Sequence, residues 1–201
     1  MIAKIKTKSP YSKMICSSKR LIIRPYKMTD LKLCREAKEK RLKKINKFDD
    51  EVPICRDLSK ENFKSKLAGY KERAKDRQHF VFGIFTKRTG EHIGAVDIYI
   101  INHEIKWGNL GYQIHNHHWG NGFATEASVI TLKLSIKELG LHRVEAATEV
   151  RNYAARKVAL KAGMVYEGRR KNFFENVDYV VFGANSLMMF PTREKMGSSK
   201  K

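Results

Sequence analysis

Two periods of hydrophobic positions alternate along the chain, and the switches between them mark its elements. "RLIIRPY", Arg20 to Tyr26, alternates as a half-buried strand does, and Pro25 stops it. The period then lengthens. "MTDLKLCREAKEKRLKKINK" starts from Thr29 or Asp30, either a suitable N-cap, and continues helically with Leu31, Cys34, Ala37 and Lys38 on one face beside the later Leu42 and Ile45. A second helix is predicted across Lys60 to Arg77. Three strands follow in quick succession, His79 to Phe85, Glu91 to Ile101 and Trp107 to Ile114, joined by a turn at Thr89-Gly90 and a second polar turn, which predicts an antiparallel meander. From Ala124 to Leu139 two apolar stripes run together: Phe123, Ala127, Ile130 and Leu134, and beside them Val129, Leu132, Ile136 and Leu139. Such a helix is mostly buried, and Gly140 closes it. Arg143 to Val150 reads as a strand, Asn152 to Gly163 as a short helix, and "MVYEG" and Tyr179 to Met189 as the last strands. The order is β-α-α-β-β-β-α-β-α-β-β.

Composition bounds this picture. A chain of 201 residues with 42% hydrophobic content suits one domain. The first 17 residues and the tail from about 191 are polar and basic and read as loose, leaving a domain over 18–190. No segment has the ~18 to 20 apolar residues that cross a bilayer, nor a signal-peptide core, so a soluble cytoplasmic protein without a membrane partner is expected. Cys16, Cys34 and Cys55 are odd in number and widely spaced, which excludes a complete disulfide framework and a CxxC metal site. The formal charge of +20 favours polyanionic surroundings such as nucleic acid, ribosomes, acidic lipid or a phosphorylated cofactor. Lys32 to Lys47 alone carries eight basic and two acidic residues, a solvated face or a ribosome contact.

Candidate chemistry concentrates in "HHWGNGFATEA", His117 to Ala127. Gly120 and Gly122 stand directly before a helix, where the unpaired first-turn amides attract an anion. A Walker A loop would end in Gly-Lys-Ser/Thr, but Phe123-Ala124-Thr125 stands there, and a dinucleotide fingerprint needs a third glycine and an early strand. Taken alone, a G-x-G turn is compatible with a phosphate site or with a plain strand-to-helix connection.

The neighbouring motifs extend the reading. Gly111-Tyr112-Gln113-Ile114, Trp119 to Ala127, Gly140 to Val144, Asn152 to Ala155 and Gly163 to Gly168, preceded by "SSKRLIIRPYKMTD", resemble the GNAT acetyltransferases, and within them the RimJ/RimL branch of protein N-terminal acetyltransferases. The likeness covers roughly Ser18 to Met189. It implies an α+β (α/β mixed sheet) GNAT fold: a mostly antiparallel central sheet of about seven strands, splayed at the fourth and fifth, flanked by about four helices. It also implies acetyl-CoA as donor, with the pyrophosphate cradled by His118, Trp119, Gly120, Asn121, Gly122, Phe123, Ala124 and Thr125, the pantetheine beside Gln113 and Ile114, His117 at the start of the phosphate loop, Asn152 on the CoA arm and Arg156 towards a phosphate.

The same resemblance frames the chemistry. Transfer needs a neutral amine, an oxyanion held by a backbone amide near Ile114, and a proton for the thiolate. An α-amino group with a pKa of ~8 is easier to neutralise than a lysine, so an N-terminal substrate needs only a modest base. Ala155 stands where the branch often has a serine acid, and Ala159 where other members use tyrosine. Tyr153 is therefore the candidate acid, with Tyr166 nearby, and Glu175 the candidate base, ahead of Glu104 and Asp178. "HNHH", His115 to His118, has no cysteine or carboxylate close in sequence and reads as lining the cofactor loop, with no metal. The expected acceptor is a protein N-terminal α-amine of the ribosomal-protein type. The alternatives are a small amine (antibiotic, polyamine or amino-acid-like), or a non-catalytic acetyl-CoA-binding protein that contacts RNA or ribosomes. Monomer and homodimer both remain open.

Overall fold

The computed structural model describes residues 7–189. Its strands are β1 (Cys16–Ser17), β2 (Leu21–Arg24), β3 (His79–Thr86), β4 (His92–Asn102), β5 (Trp107–Ile114), β6 (Arg143–Glu149), β7 (Val165–Phe174) and β8 (Val177–Asn185). They form one sheet in the order β1-β2-β3-β4-β5-β6-β8-β7, antiparallel except where β5 meets β6. The helices are α1 (Asp30–Glu39), α2 (Lys60–Lys75), α3 (Phe123–Lys137), α4 (Tyr153–Lys161) and the single turn α5 (Ser186–Met189). The mixed α/β class agrees with the sequence reading, and so does the element order from β2 to β8, but the last strand, expected to reach Met189, ends at Asn185 and the turn α5 follows it. The eighth strand is the two-residue β1.

The sheet is covered on both faces, and β3 shows how the sequence divides them. Phe80, Phe82 and Ile84 point into a core shared with Leu132 and Leu134 of α3, Ala159 of α4 and Phe182 of β8. Val81 points the opposite way, as successive strand residues must, into a second core with Tyr26, Cys34 of α1, and Phe63, Leu67 and Tyr70 of α2. Phe85, four residues beyond Val81, faces the same second core by the same alternation.

Two expectations are corrected. The first helix was predicted to run towards Lys47, but α1 stops at Glu39, and Leu42 and Ile45 are 55% and 57% exposed. Tertiary bonds capture the chain there. The Leu42 N–H donates to Asn116 Oδ1 at 2.9 Å, and Asn116 Nδ2 donates to the Leu42 carbonyl and to Asp49 Oδ2, each at 2.9 Å. The Ile45 N–H also bonds Asp49 Oδ2, at 2.9 Å, and Arg41 bonds the other carboxylate oxygen at 2.5 Å. These partners replace an intrahelical ladder that a run of like charges would hold weakly.

The second correction concerns the N-terminal segment expected to be loose over 1–17. From residue 7 on it is packed: Met14 is 2% exposed, the Tyr11 hydroxyl donates to the Val81 carbonyl, the Lys8 N–H bonds the Glu138 carbonyl at 2.9 Å, and β1 pairs with β2. Apolar Tyr11 and Met14 supply burial that the polar average of the segment conceals. The tail 191–201 lies outside the described residues.

Candidate cofactor cleft

β5 and β6 pair in parallel only from Trp107–Asn109 to Arg143–Glu145. Beyond that point β5 continues against β4 and β6 against β8, so their facing edges separate. A cavity of about 700 Å³ occupies the gap and runs to the N-termini of α3 and α4. The divergence expected at the fourth and fifth strands is thus present, at β5 and β6 once β1 is counted.

The phosphate end of the cavity is built from backbone. Gly120 and Gly122 have φ of +81° and +74°, the left-handed region that side-chain-bearing residues rarely adopt. Gly122 is the N-cap of α3 and offers no side chain to the first-turn amides. Those of Phe123, Ala124 and Thr125 consequently converge on the cavity with the positive end of the helix dipole behind them. Arg20 fastens this turn to the sheet, donating from Nη1 to the Asn121 carbonyl at 3.0 Å and from Nε to Glu126 at 2.6 Å. Trp119 is anchored by its indole N–H, which donates to the Ile114 carbonyl at 2.8 Å.

That bond also orients β5. The His115 N–H points to β4, where it bonds the Ile93 carbonyl at 2.9 Å, so strand alternation turns the backbone groups of Ile114 towards the gap. Tyr112 reaches across it: its hydroxyl donates to the Ala155 carbonyl at 2.7 Å, and burial raises its phenol well above the ordinary range, so it stays protonated. The Asn152 side chain accepts from the Ala155 N–H at 3.1 Å, capping α4, and leaves its own amide N–H groups for other partners.

The expected site residues separate into two groups. Gln113, Ile114, His118, Trp119, Gly120, Gly122, Phe123, Ala124, Thr125, Asn152 and Tyr153 line the cavity. His117, Asn121, Arg156 and Glu175 do not. The Asn121 side chain folds back onto the His118 and Trp119 carbonyls. Arg156 donates to the Val150 carbonyl at 2.9 Å and lies over the Tyr153 ring. Glu175 and Asn176, with φ of +48° and +57°, form the tight turn between β7 and β8, and that turn places Glu175 at a hairpin tip.

Other residues take these places. Tyr153, Lys157 and Lys161 share one face of α4 at four-residue spacing, and with Arg151 they bring positive charge to the cavity. The spacing was visible in the sequence, but Arg156 lies one position off that face. Asn46, Phe48 and Asp50 come from the chain that Asn116 captures, and Asp50 is the carboxylate among the lining residues. A second groove of about 740 Å³, between the N-terminal segment and α2, contains none of the expected cofactor residues.

The histidines require a further correction. His115 has no cysteine near it in sequence, yet the fold brings Cys55 against it and His92 within 3.1 Å, partners separated by 60 and 23 residues in the chain. His117 stacks on His115, and burial first, then the neighbouring His118, lower its pKa.

A sheet that opens between two strands onto an uncapped helix N-terminus defines a class of proteins that hold a phosphorylated, extended cofactor by backbone groups. Residues 20–165 match the acetyltransferase (GNAT) domain family, and the chain belongs to that family. It is 35% identical over 114 residues to YjcK of Bacillus subtilis (strain 168), named a probable N-acetyltransferase, a match covering 56% of this chain and 63% of that one. Its fold is similar to Mycobacterium smegmatis RimJ in complex with CoA-disulfide, with a TM-score of 0.71, 18% identity and coverage of 91% of each chain. It is also similar to the ribosomal-protein-S5-alanine acetyltransferase of Vibrio fischeri, with a TM-score of 0.70, 22% identity and coverage of 86% and 97%. No helix among the described residues is long and apolar enough to cross a membrane.

Proposed function

We propose that the protein is an acetyl-CoA-dependent N-acetyltransferase whose acceptor is the α-amine of a protein N-terminus. The observation that carries this reading is the gap between β5 and β6 that ends on the uncapped N-terminus of α3. In this reading the pyrophosphate lies against the amides of Gly120 to Thr125, with His117 and Asn121 shaping the loop from behind. Lys157, Lys161 and Arg151 meet the remaining phosphates, and the pantetheine runs along Gln113, Ile114 and Asn152. The amine nitrogen attacks the thioester carbonyl, the Ile114 N–H receives the oxyanion, and the carbon–sulfur bond breaks. Tyr112 gives the CoA thiolate its proton and recovers one from solvent, with Tyr153 at the mouth as the second donor. The proton lost by the amine leaves through water to Asp50, and Glu175 serves only if the hairpin brings it to the acceptor.

An N-terminal amine suits this arrangement because it is substantially neutral near pH 8 and asks little of the base. The Vibrio fischeri neighbour, a ribosomal-protein-S5-alanine acetyltransferase, supports a ribosomal acceptor, and the charge of +20 opposes a polycationic one. The test is thiol release from acetyl-CoA with a panel of N-terminal peptides and with small amines including polyamines. Release with peptides alone is expected. Release with small amines alone would move the acceptor to that class, and no release with any amine at saturating acetyl-CoA would defeat the catalytic reading.

A further inference from the structure

We propose that Cys34, Cys55, His92 and His115 form a structural zinc site that ties α1 and the chain after it to the start of the phosphate loop. The four side chains come from separate parts of the sequence: Cys34 from α1, Cys55 from a short turn before α2, His92 from the first residue of β4, and His115 from the residue after β5. All are buried, none more than 1% exposed. The ligand atoms of Cys34, Cys55 and His92 lie within 4.8 Å of one another. His92 Nδ1 is 3.9 Å from each sulfur and 3.1 Å from His115 Nε2. A tetrahedral ion with bonds of about 2.3 Å to sulfur and 2.0 Å to nitrogen has ligand–ligand edges of about 3.3 to 3.8 Å, so the three atoms within 4.8 Å of one another close on an ion by side-chain adjustments of up to about 1 Å, and His115, which meets His92 and Cys55 but lies outside that trio, turns its ring to complete the set.

The surroundings of His92 decide between a metal site and ordinary packing of small thiols. Tyr26 Oη lies 2.8 Å from His92 Nε2 and 3.3 Å from the Gly94 carbonyl. When the hydroxyl gives its one proton to the Gly94 carbonyl it accepts from the His92 Nε2–H, and the Nδ1 lone pair then faces both sulfurs and His115. An outer hydrogen bond of this kind is how ligating imidazoles are oriented. Two thiolates and two neutral imidazoles balance a divalent ion, and binding releases the thiol protons. Two sulfurs with two nitrogens in tetrahedral disposition select zinc.

The site would hold the chain that carries Asn46, Phe48 and Asp50 against the cleft. Its test does not depend on activity. Protein purified under reducing conditions without a metal-affinity tag is assayed for zinc, stripped with a chelator, and titrated with cobalt(II) and then zinc. Expected are one ion per chain, tetrahedral ligand-field bands with sulfur-to-cobalt charge transfer, and a Tm that rises with zinc. Cys34→Ser and Cys55→Ser, each confirmed folded by circular dichroism, should lose the charge-transfer band and the Tm response. Absence of a stoichiometric ion in the reduced wild-type chain overturns the proposal. So does cobalt bound without sulfur, as Glu91, His117 and His118 would bind it, and so does charge transfer that survives both substitutions.

Discussion

Asn116 illustrates what a single residue contributes beyond its sequence motif. Within "HNHH" the histidines draw attention, yet Asn116 is 3% exposed and spends both ends of its amide on chain more than 65 residues away. Asn116→Ala should strand the Leu42 N–H and leave Asp49 Oδ2 with the Ile45 N–H alone, at about 1 to 3 kcal/mol in urea denaturation, and raise the KM for acetyl-CoA by loosening Asn46 to Asp50. Asp49 adds a pH signature. Burial would raise its pKa, but the Ile45 N–H, Asn116 and Arg41 outweigh that and hold it below the ordinary carboxylate value. A depressed folded-state pKa contributes stability above the unfolded value and loses it as the pH falls through the folded one. The stability gap between wild type and Asp49→Asn should therefore be constant from about pH 5 to 7 and shrink below about pH 4. A gap that widens in acid would contradict this assignment. Tyr112→Phe tests the proposed proton donor: kcat should fall at least about tenfold with little change in the KM for acetyl-CoA, whereas Tyr153→Phe should leave kcat within a few-fold.

Among the elements, the turn into α3 was the most legible in sequence, because its chemistry is local. Glycine at 120 and 122 before an apolar periodic run specifies left-handed backbone and an open helix end whatever surrounds them. The added Cβ at Gly122 would meet nothing closer than Arg20 Nη2 at 3.7 Å, so space is not the constraint there. Conformation is: Gly122→Val forces a β-branched residue to φ near +74°, at about 1 to 3 kcal/mol, or the turn rearranges and its amides lose their common focus. Isothermal titration with CoA should show affinity lost by at least about tenfold, with the far-ultraviolet spectrum of the fold retained. The end of α1 was illegible for the opposite reason. Its helical period continues to Ile45, and it is ended by Asp49 together with Asn116, 74 residues beyond Leu42. The divergence of β5 from β6 has no local signal either. It entered through the family resemblance, since both strands read as ordinary strands. Likewise the four residues of the proposed zinc site lie 21, 37 and 23 positions apart, spacings that no local motif joins.

At the scale of the whole molecule, charge is the property that the fold leaves unspent. Most carboxylates of the described residues are engaged by cations, Glu126 by Arg20, Asp30 by Arg24, Glu149 by Lys47, Glu145 by both Arg143 and Arg170, and Asp178 by Arg169. The excess of positive charge on the described residues is left for solvent and ligands, and at the cleft it is carried by Lys157, Lys161 and Arg151. The exposed ones among these ion pairs, Arg20 with Glu126, Lys47 with Glu149 and Arg169 with Asp178, contribute little stability each, so the field matters for encounter more than for folding. CoA and the proposed acceptor both meet that field, and this separates the two readings of the acceptor. Peptides with acidic residues after the N-terminus should show kcat/KM above that of basic peptides at low salt, by about tenfold or more. The Debye length falls from about 10 Å at 0.1 M salt to about 3 Å at 1 M, so the difference should collapse with ionic strength while kcat stays constant. Lys157→Ala with Lys161→Ala should weaken CoA and flatten its salt dependence without altering the preference among peptides. If basic peptides or polyamines instead win at every salt concentration, a local acidic acceptor surface around Asp50 must outweigh the global field, and the N-terminal reading yields to the small-amine one.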